Sequence, residues 1–262
     1  MSGDNKLKGR RVVVTGMGIV SPVGNTIDQA WRNIVAGNSG IGPITRFDVE
    51  AFPVRFGGEV RNFDIEQYIT RKNARKMDPF IHYGIAAAMD AVNDAGLEIN
   101  EANAERVGVS VGSGIGGIFS IEEGHKSYLD GGPRKISPFF IPSAIINMVS
   151  GNLSILLGAK GPNLATVTAC TTATHNIGLS ARLIAYGDAD VMIAGGAEFG
   201  TTPTGLGGFA AARALSTRND DPQGASRPWD QGRYGSVLSG DPRSFVLEEY
   251  EHARQRGAAI YA

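Results

Sequence analysis

The chain has 262 residues, of which 42% are hydrophobic and 19% charged, with a formal net charge of −1. These are globular proportions, and the length suffices for one large or two small domains; the near-zero charge gives no reason to expect nucleic acid or an anionic membrane as the main partner. A single cysteine excludes an intrachain disulfide and a cysteine-based zinc cluster and suits a reducing cytosol, and neither a signal peptide nor an apolar run near the ~20 residues of a membrane span is read.

In chain order, residues 1–9 are polar and read as a frayed opening. Residues 11–16 (RVVVTG) read as a buried strand, and Thr26 as the cap of a helix running through Trp31 to Gly37. Asp64 is expected to cap a helix carrying Arg71, Lys72, Arg75 and Lys76. Pro79 then opens a long helix whose Ile81, Ile85, Ala88 and Val92 form an apolar stripe ending at Gly96. Residues 107–111 form a second buried strand that runs into the glycine loop GSGIGG.

Two motifs in this region match catalytic patterns by spacing alone. Gly112, Gly114 and Gly117 satisfy the dinucleotide fingerprint, but no helix is expected to open at Gly117 and no acid stands about 20 residues on. Gly108, Ser110 and Gly112 satisfy the G-x-S-x-G pattern, yet Ser110 lies inside the strand instead of at a strand-to-helix turn. Both fit better as a strand ending in a flexible loop.

Residues 142–158 are expected as one further helix. Residues 164–169 read as a short buried strand, and from Thr171 the period becomes helical, with Ala173, Ile177, Ala181 and Ile184 in phase and Gly187 as the stop. Between that strand and helix stands Cys170, the only thiol. A strand-to-helix turn places it at the positive end of the helix dipole, which favours thiolate by up to about 2 kcal/mol: enough to prime a nucleophile, not to activate it alone. A small buried hydrophobe is the other reading of a free cysteine. Residues 189–195 read as another strand, and residues 244–249 as a last strand before a final helix. Alternating strands and helices predict an α/β chain with a mostly parallel sheet covered by helices.

The four histidines offer no obvious base. His175 lies five positions beyond Cys170, about 140° around a helix, so it points away from the thiol. His82, His125 and His252 occur singly, without ligand-like spacing. No metal and no cofactor is implied.

The stretch TACTTATHNIG followed by IAYGDADVMIAGGAE resembles the nucleophile segment of the β-ketoacyl-[acyl carrier protein] synthases, the elongating condensing enzymes, with the type II (KAS II) branch of bacterial fatty acid synthesis the nearest match. The likeness starts near VVVTGMGIVSPVGNT and includes RKMDPFIHYG, GSGIGG, GGPRKISPFFIPSAIINMVSG and GGFAAARALSTRNDDPQGASRPWD. It implies a thiolase-like, layered αβαβα fold of which residues 10–262 are the first half, a cytoplasmic homodimer, and acyl carrier protein as partner. Cys170 would be the nucleophile that accepts the acyl group, and its own N–H one oxyanion donor. Ile115 and Phe209 would gate the acyl pocket, with Phe140 near its dimer-related end. Lys72, Arg75, Lys76, Arg134, Lys135 and Arg213 match positions of carrier-protein contact. A charge run is otherwise a solvated face, and large apolar residues are otherwise core.

Two departures temper the likeness. The family's catalytic histidines and lysine belong to segments this sequence does not contain, so the chain is expected to be an amino-terminal portion without full condensing activity. Residues 231–244 also differ: Tyr234 and Ser236 stand where an Asp and a Phe are expected, and Pro242 threatens the last strand. A thiolase-type degradative enzyme would need a second reactive cysteine. A hydrolase acting through Ser110 and a silent carrier-protein-binding or dimerising fragment are the other readings.

Overall fold

A computed structural model describes residues 9–262; the opening expected over residues 1–9 lies, Gly9 apart, outside them. The strands are β1 (Val12–Ile19), β2 (Ile41–Pro43), β3 (Phe56–Gly58), β4 (Val107–Gly112), β5 (Asn163–Leu164), β6 (Val191–Gly196) and β7 (Arg243–Glu249). The helices are α1 (Ile27–Val35), α2 (Arg71–Ala74), α3 (Pro79–Asp94), α4 (Ile118–Gly131), α5 (Phe140–Ala144), α6 (Met148–Leu157), α7 (Thr172–Tyr186), α8 (Pro203–Ala211) and α9 (Tyr250–Gln255). Five strands form one sheet in the order β1-β7-β6-β4-β5, and β2 and β3 make a separate two-stranded ribbon.

Within the main sheet β4 pairs in parallel with β5 and β6, while β7 runs antiparallel to both β6 and β1. Four strands therefore point one way and β7 alone is reversed, and because it lies between β1 and β6 two of the four pairings are antiparallel, so the sheet is mixed instead of mostly parallel. Pro242 sits one residue before β7, where its missing N–H removes no ladder bond, and its carbonyl accepts from Val20 N at 3.3 Å.

The sheet is covered on both faces. On one, Val107, Val109, Val111, Val191, Ile193 and Val246 meet α3 and α6 through Ile81, Ile85, Val149 and Leu153. On the other, Met192, Ala194 and Leu247 meet Ile177, Ala181 and Ile184 of α7. The α3 helix is buried on nearly every side, from Phe80 through Val92, so the expected apolar stripe is only part of its buried surface. It lies so close to β1 that a Cβ on Gly18 would meet the Ala87 carbonyl oxygen at 1.9 Å; only glycine fits there. Asp78 holds the N-termini of two helices, accepting from Phe80 N of α3 at 3.1 Å and Ser120 N of α4 at 2.8 Å. Burial pushes its carboxyl up against the pull of those amides.

Four expectations are corrected in the structure. Asp64 caps only a single turn (Ile65–Gln67) through Glu66 N; Thr70 is extended and caps α2 afresh, which leaves Arg75 and Lys76 beyond the last helical residue. Residues 142–158 divide into α5 and α6, because the Ala144 carbonyl accepts from Gly117 N of the glycine loop and Ile145 turns extended. A helix, α4, does open immediately after Gly117. The strand expected over 164–169 is two residues long and exposed, an edge of the sheet. Beyond it, Thr166 N donates to Asn176 Oδ1 and Thr168 N to Thr172 Oγ1, so this backbone is held by side chains of α7 instead of a neighbouring strand.

Candidate active site

The parallel strands β4 and β6 end side by side, and the N-terminus of α7 crosses their ends, the place where open α/β sheets bind ligands. Glycine makes the approach possible: a Cβ on Gly112 would meet the Thr166 carbonyl oxygen at 2.2 Å, and one on Gly196 would meet Ala173 Cβ at 2.8 Å. Cys170 sits there in the single turn Ala169–Thr171 that leads into α7, and it is exposed, not a buried hydrophobe. Ala169 before it holds φ at 51°, a left-handed conformation that costs a non-glycine residue about 1–2 kcal/mol.

Asn176 fastens this turn to the sheet. It is fully buried, and its Oδ1 accepts from Ser110 Oγ at 2.8 Å and from Thr166 N at 3.1 Å. Ser110 is thereby committed inside β4 and is not a surface nucleophile. His175 turns away from the thiol, as its helical position requires, and bonds Thr168 Oγ1 through Nδ1 at 2.7 Å. His82 is half-buried and bonds the Ala74 carbonyl through Nε2, with its basicity lowered by desolvation. His252 pairs with Glu248. Among the described residues, no cluster of His, Cys, Asp or Glu could hold a metal ion.

A cleft of about 370 Å³ opens on Cys170, lined among others by Ile115, Glu198, Phe209, Leu238 and Arg243. Two of the three expected pocket residues therefore share one cavity with the thiol, and both are part-exposed, Ile115 at 39% and Phe209 at 37%. Phe140 does not join them: it begins α5, with its ring set against Gly124 of α4. The departing segment 231–244 contributes Leu238, Ser239, Asp241 and Arg243 to the wall, with Arg243 and Asp241 paired at 2.8 Å. Among the described residues no histidine and no lysine lines the cleft.

Sequence reasoning missed Glu198. Its carboxylate accepts from Ser113 Oγ at 3.0 Å, Gly114 N at 2.9 Å and Ile115 N at 3.0 Å. Burial pushes the carboxyl up, opposed by those neutral donors. The donors of the glycine loop that a dinucleotide phosphate would use are occupied by this internal acid, which disposes of the fingerprint match. The only available signal was an acid directly after a buried apolar strand.

The expected docking residues are scattered over three segments. Lys72 lies within α2, Arg75 caps it and Lys76 follows, with Nζ 5.2 Å from the centre of the Phe139 ring. Arg134 and Lys135 occupy the turn Pro133–Lys135 after α4, and Arg213 follows α8, four residues beyond Phe209. None of the six forms an ion pair among the described residues.

The site is thus an exposed thiol on a strained turn at the joined ends of two parallel strands of an α/β sheet, facing a cleft. Residues 9–253 match the family described as "Beta-ketoacyl synthase, N-terminal domain", and the chain belongs to that family. It is 62% identical to the 3-oxoacyl-[acyl-carrier-protein] synthase 2 of Vibrio cholerae and 57% to that of Coxiella burnetii, over 97% of this chain and 61% of each relative. Among solved structures, a beta-ketoacyl synthase from Burkholderia phymatum superposes with a TM-score of 0.86 at 31% identity, covering 96% of this chain and 62% of that one. A ketosynthase solved with its type II PKS acyl-carrier protein superposes with a TM-score of 0.82 at 30% identity, covering 97% and 62%. The fold is thiolase-like, and the chain spans about 61% of the length of the curated relatives it matches.

Proposed function

We propose that residues 10–262 form the acyl-accepting domain of an elongating β-ketoacyl carrier-protein synthase of fatty acid synthesis, with Cys170 as the nucleophile. The observation that carries this is the shared cleft: the one thiol, Ile115 and Phe209 line a single apolar cavity at the ends of β4 and β6. The thiolate attacks the thioester carbonyl of an acyl carrier protein and the carrier's thiol leaves, so the acyl group passes to Cys170 as a new thioester. In this reading the Cys170 N–H donates to the oxyanion as one of the two donors such a step uses.

In the complete reaction a malonyl carrier protein loses carbon dioxide, and its carbanion attacks that acyl-cysteine. Among the described residues the cleft contains no histidine or lysine to stabilise the charge that develops, and loss of even one such donor typically costs about 3 kcal/mol. The chain as given is therefore expected to be acylated without condensing.

Acyl carrier protein is the proposed partner, approached through Lys72, Arg75, Lys76, Arg134, Lys135 and Arg213, since carrier proteins are acidic and these cations are uncommitted. A homodimer is supported by the free edge of β5 and the exposed Ile155 of α6 beside it, and would bring Phe140 toward the partner's cleft. Among the described residues no helix is long and apolar enough to cross a membrane, and we place the reaction in the cytosol.

Acyl and malonyl carrier proteins supplied together test the proposal. One acyl group on the intact chain without β-ketoacyl product is the expected result. Product that disappears in Cys170→Ala would show that other residues of this chain do the histidines' work, and a folded chain with no acyl group would refute the assignment.

A further inference from the structure

Residues 113–116 leave the end of β4 and turn back into α4 over the mouth of the cleft. Both oxygens of one carboxylate hold this turn. Gly114 N and Ile115 N converge on Glu198 Oε2 at 2.9 and 3.0 Å, and Ser113 Oγ donates to Oε1 at 3.0 Å while accepting from Gly116 N at 2.9 Å. Four consecutive residues thus depend on one side chain. The anchor itself is stiff, because Glu198 stands two residues beyond the end of β6 and the intervening Ala197 N is bonded to the Gly112 carbonyl at 2.9 Å. The loop backbone rests on the carboxylate, with a Cβ built on Gly114 only 3.0 Å from Oε2.

Among the described residues no cation reaches Glu198. A desolvated carboxylate is costly to keep without one, and a residue serving stability alone would be better paired. What it gains is control of the loop that carries Ile115, whose side chain lines the cleft ending at Cys170. Swinging Ile115 out of that cleft breaks both N–H···O bonds to Glu198 together.

We infer that Glu198 is a positioning residue for chain-length selection, latching the Ile115 loop to the end of β6 so that long acyl chains enter only when the latch opens. The inference rests on the proposed acyl pocket and adds to it the element that sets how readily the gate moves.

Glu198→Ala tests this, because it removes the one oxygen that accepts from both Gly114 N and Ile115 N. Ser113→Ala is the milder second variant, removing one donor and the support of Gly116. Two readouts apply: hydrogen–deuterium exchange of the segment 112–118, and the ratio of hexadecanoyl to hexanoyl transfer from carrier protein to the chain. In Glu198→Ala, loop exchange should rise about tenfold and the ratio about fivefold, with smaller changes of the same sign in Ser113→Ala. Loop exchange equal to the parent's in both folded variants overturns the latch. Faster exchange with an unaltered ratio overturns the role in selection. A parent that takes neither acyl group refutes the pocket reading and the selection role with it, while the exchange measurement still decides the latch.

Discussion

Each end of the sheet holds a carboxylate, fully buried at one and half-buried at the other, and they treat it in opposite ways. At one end Glu248 of β7 is fully enclosed, accepting from Thr15 Oγ1, His252 Nδ1 and Nε and Nη2 of Arg256. Burial raises its carboxyl, but Arg256, His252 and Thr15 outweigh burial and hold it at about 2. At the other end Glu198 has neutral donors only, and burial wins. The first end is closed on itself and stabilises; the second leaves a strained turn, an exposed thiol and an open cleft. Groups that sacrifice stability gather where chemistry happens, and the rest of the sheet offsets them.

The contrast breaks most visibly at Arg256. Arg256→Ala leaves Glu248 buried without its main cation, which should cost about 3–5 kcal/mol and lower the melting temperature by roughly 10 °C. Cys170→Ala, at an exposed position, should stay within about 0.5 kcal/mol. Equal losses in calorimetry would erase the distinction between the two ends.

Acid should act on the same end. The Glu248 carboxyl is depressed, so its stabilisation is present above the ordinary carboxylate range and disappears as pH falls from 4.5 toward 2. About 3 kcal/mol should be lost over that window. His252 is raised by its bond to Glu248, so its smaller contribution is present below the ordinary imidazole value and lost as pH rises through the folded value. Glu198 has the opposite sign to Glu248, since acid relieves its desolvated charge. Melting temperatures across the acid range, in the parent and in Glu248→Gln, measure the difference; a flat profile in the parent would contradict the Glu248 account.

At the open end the expected effects are on binding and selection. Reversing Lys72 and Lys76 to Glu should slow association with an acidic carrier protein by about thirtyfold at low salt, with the gap narrowing as salt rises. Identical rates for mutant and parent would make α2 an ordinary solvated face. Ile115→Phe should reduce long-chain acyl transfer about tenfold while sparing short chains, since overpacking is not relieved cheaply. A loss of melting temperature with no change in chain preference would return Ile115 to core packing.

How much of this could be read beforehand follows the same division. Elements set by local chemistry were legible: Thr26 caps α1 through Gln29 N, Pro79 begins α3, and Gly187 ends α7 in a left-handed conformation. The position of Cys170 and the outward turn of His175 followed from helical period alone. Elements set by distant partners were not. The Gly117–Ala144 bond that divides α5 from α6, the side-chain bonds of Asn176 that replace a strand, and the Glu198 clamp each join residues ten to eighty-five positions apart. Periodicity carries no information about such pairs. The reversed direction of β7 was hidden for the same reason: an apolar strand reads alike in either sense.

The central claim is that Cys170, and no other residue, takes the acyl group. The direct measurement is peptide-resolved mass spectrometry of the chain after incubation with acyl carrier protein, alongside Cys170→Ala. One hydroxylamine-labile acyl group on the peptide containing Cys170, absent from the variant, is the expected result. An acyl group found on Ser110 or elsewhere, or one that persists in Cys170→Ala, would contradict it.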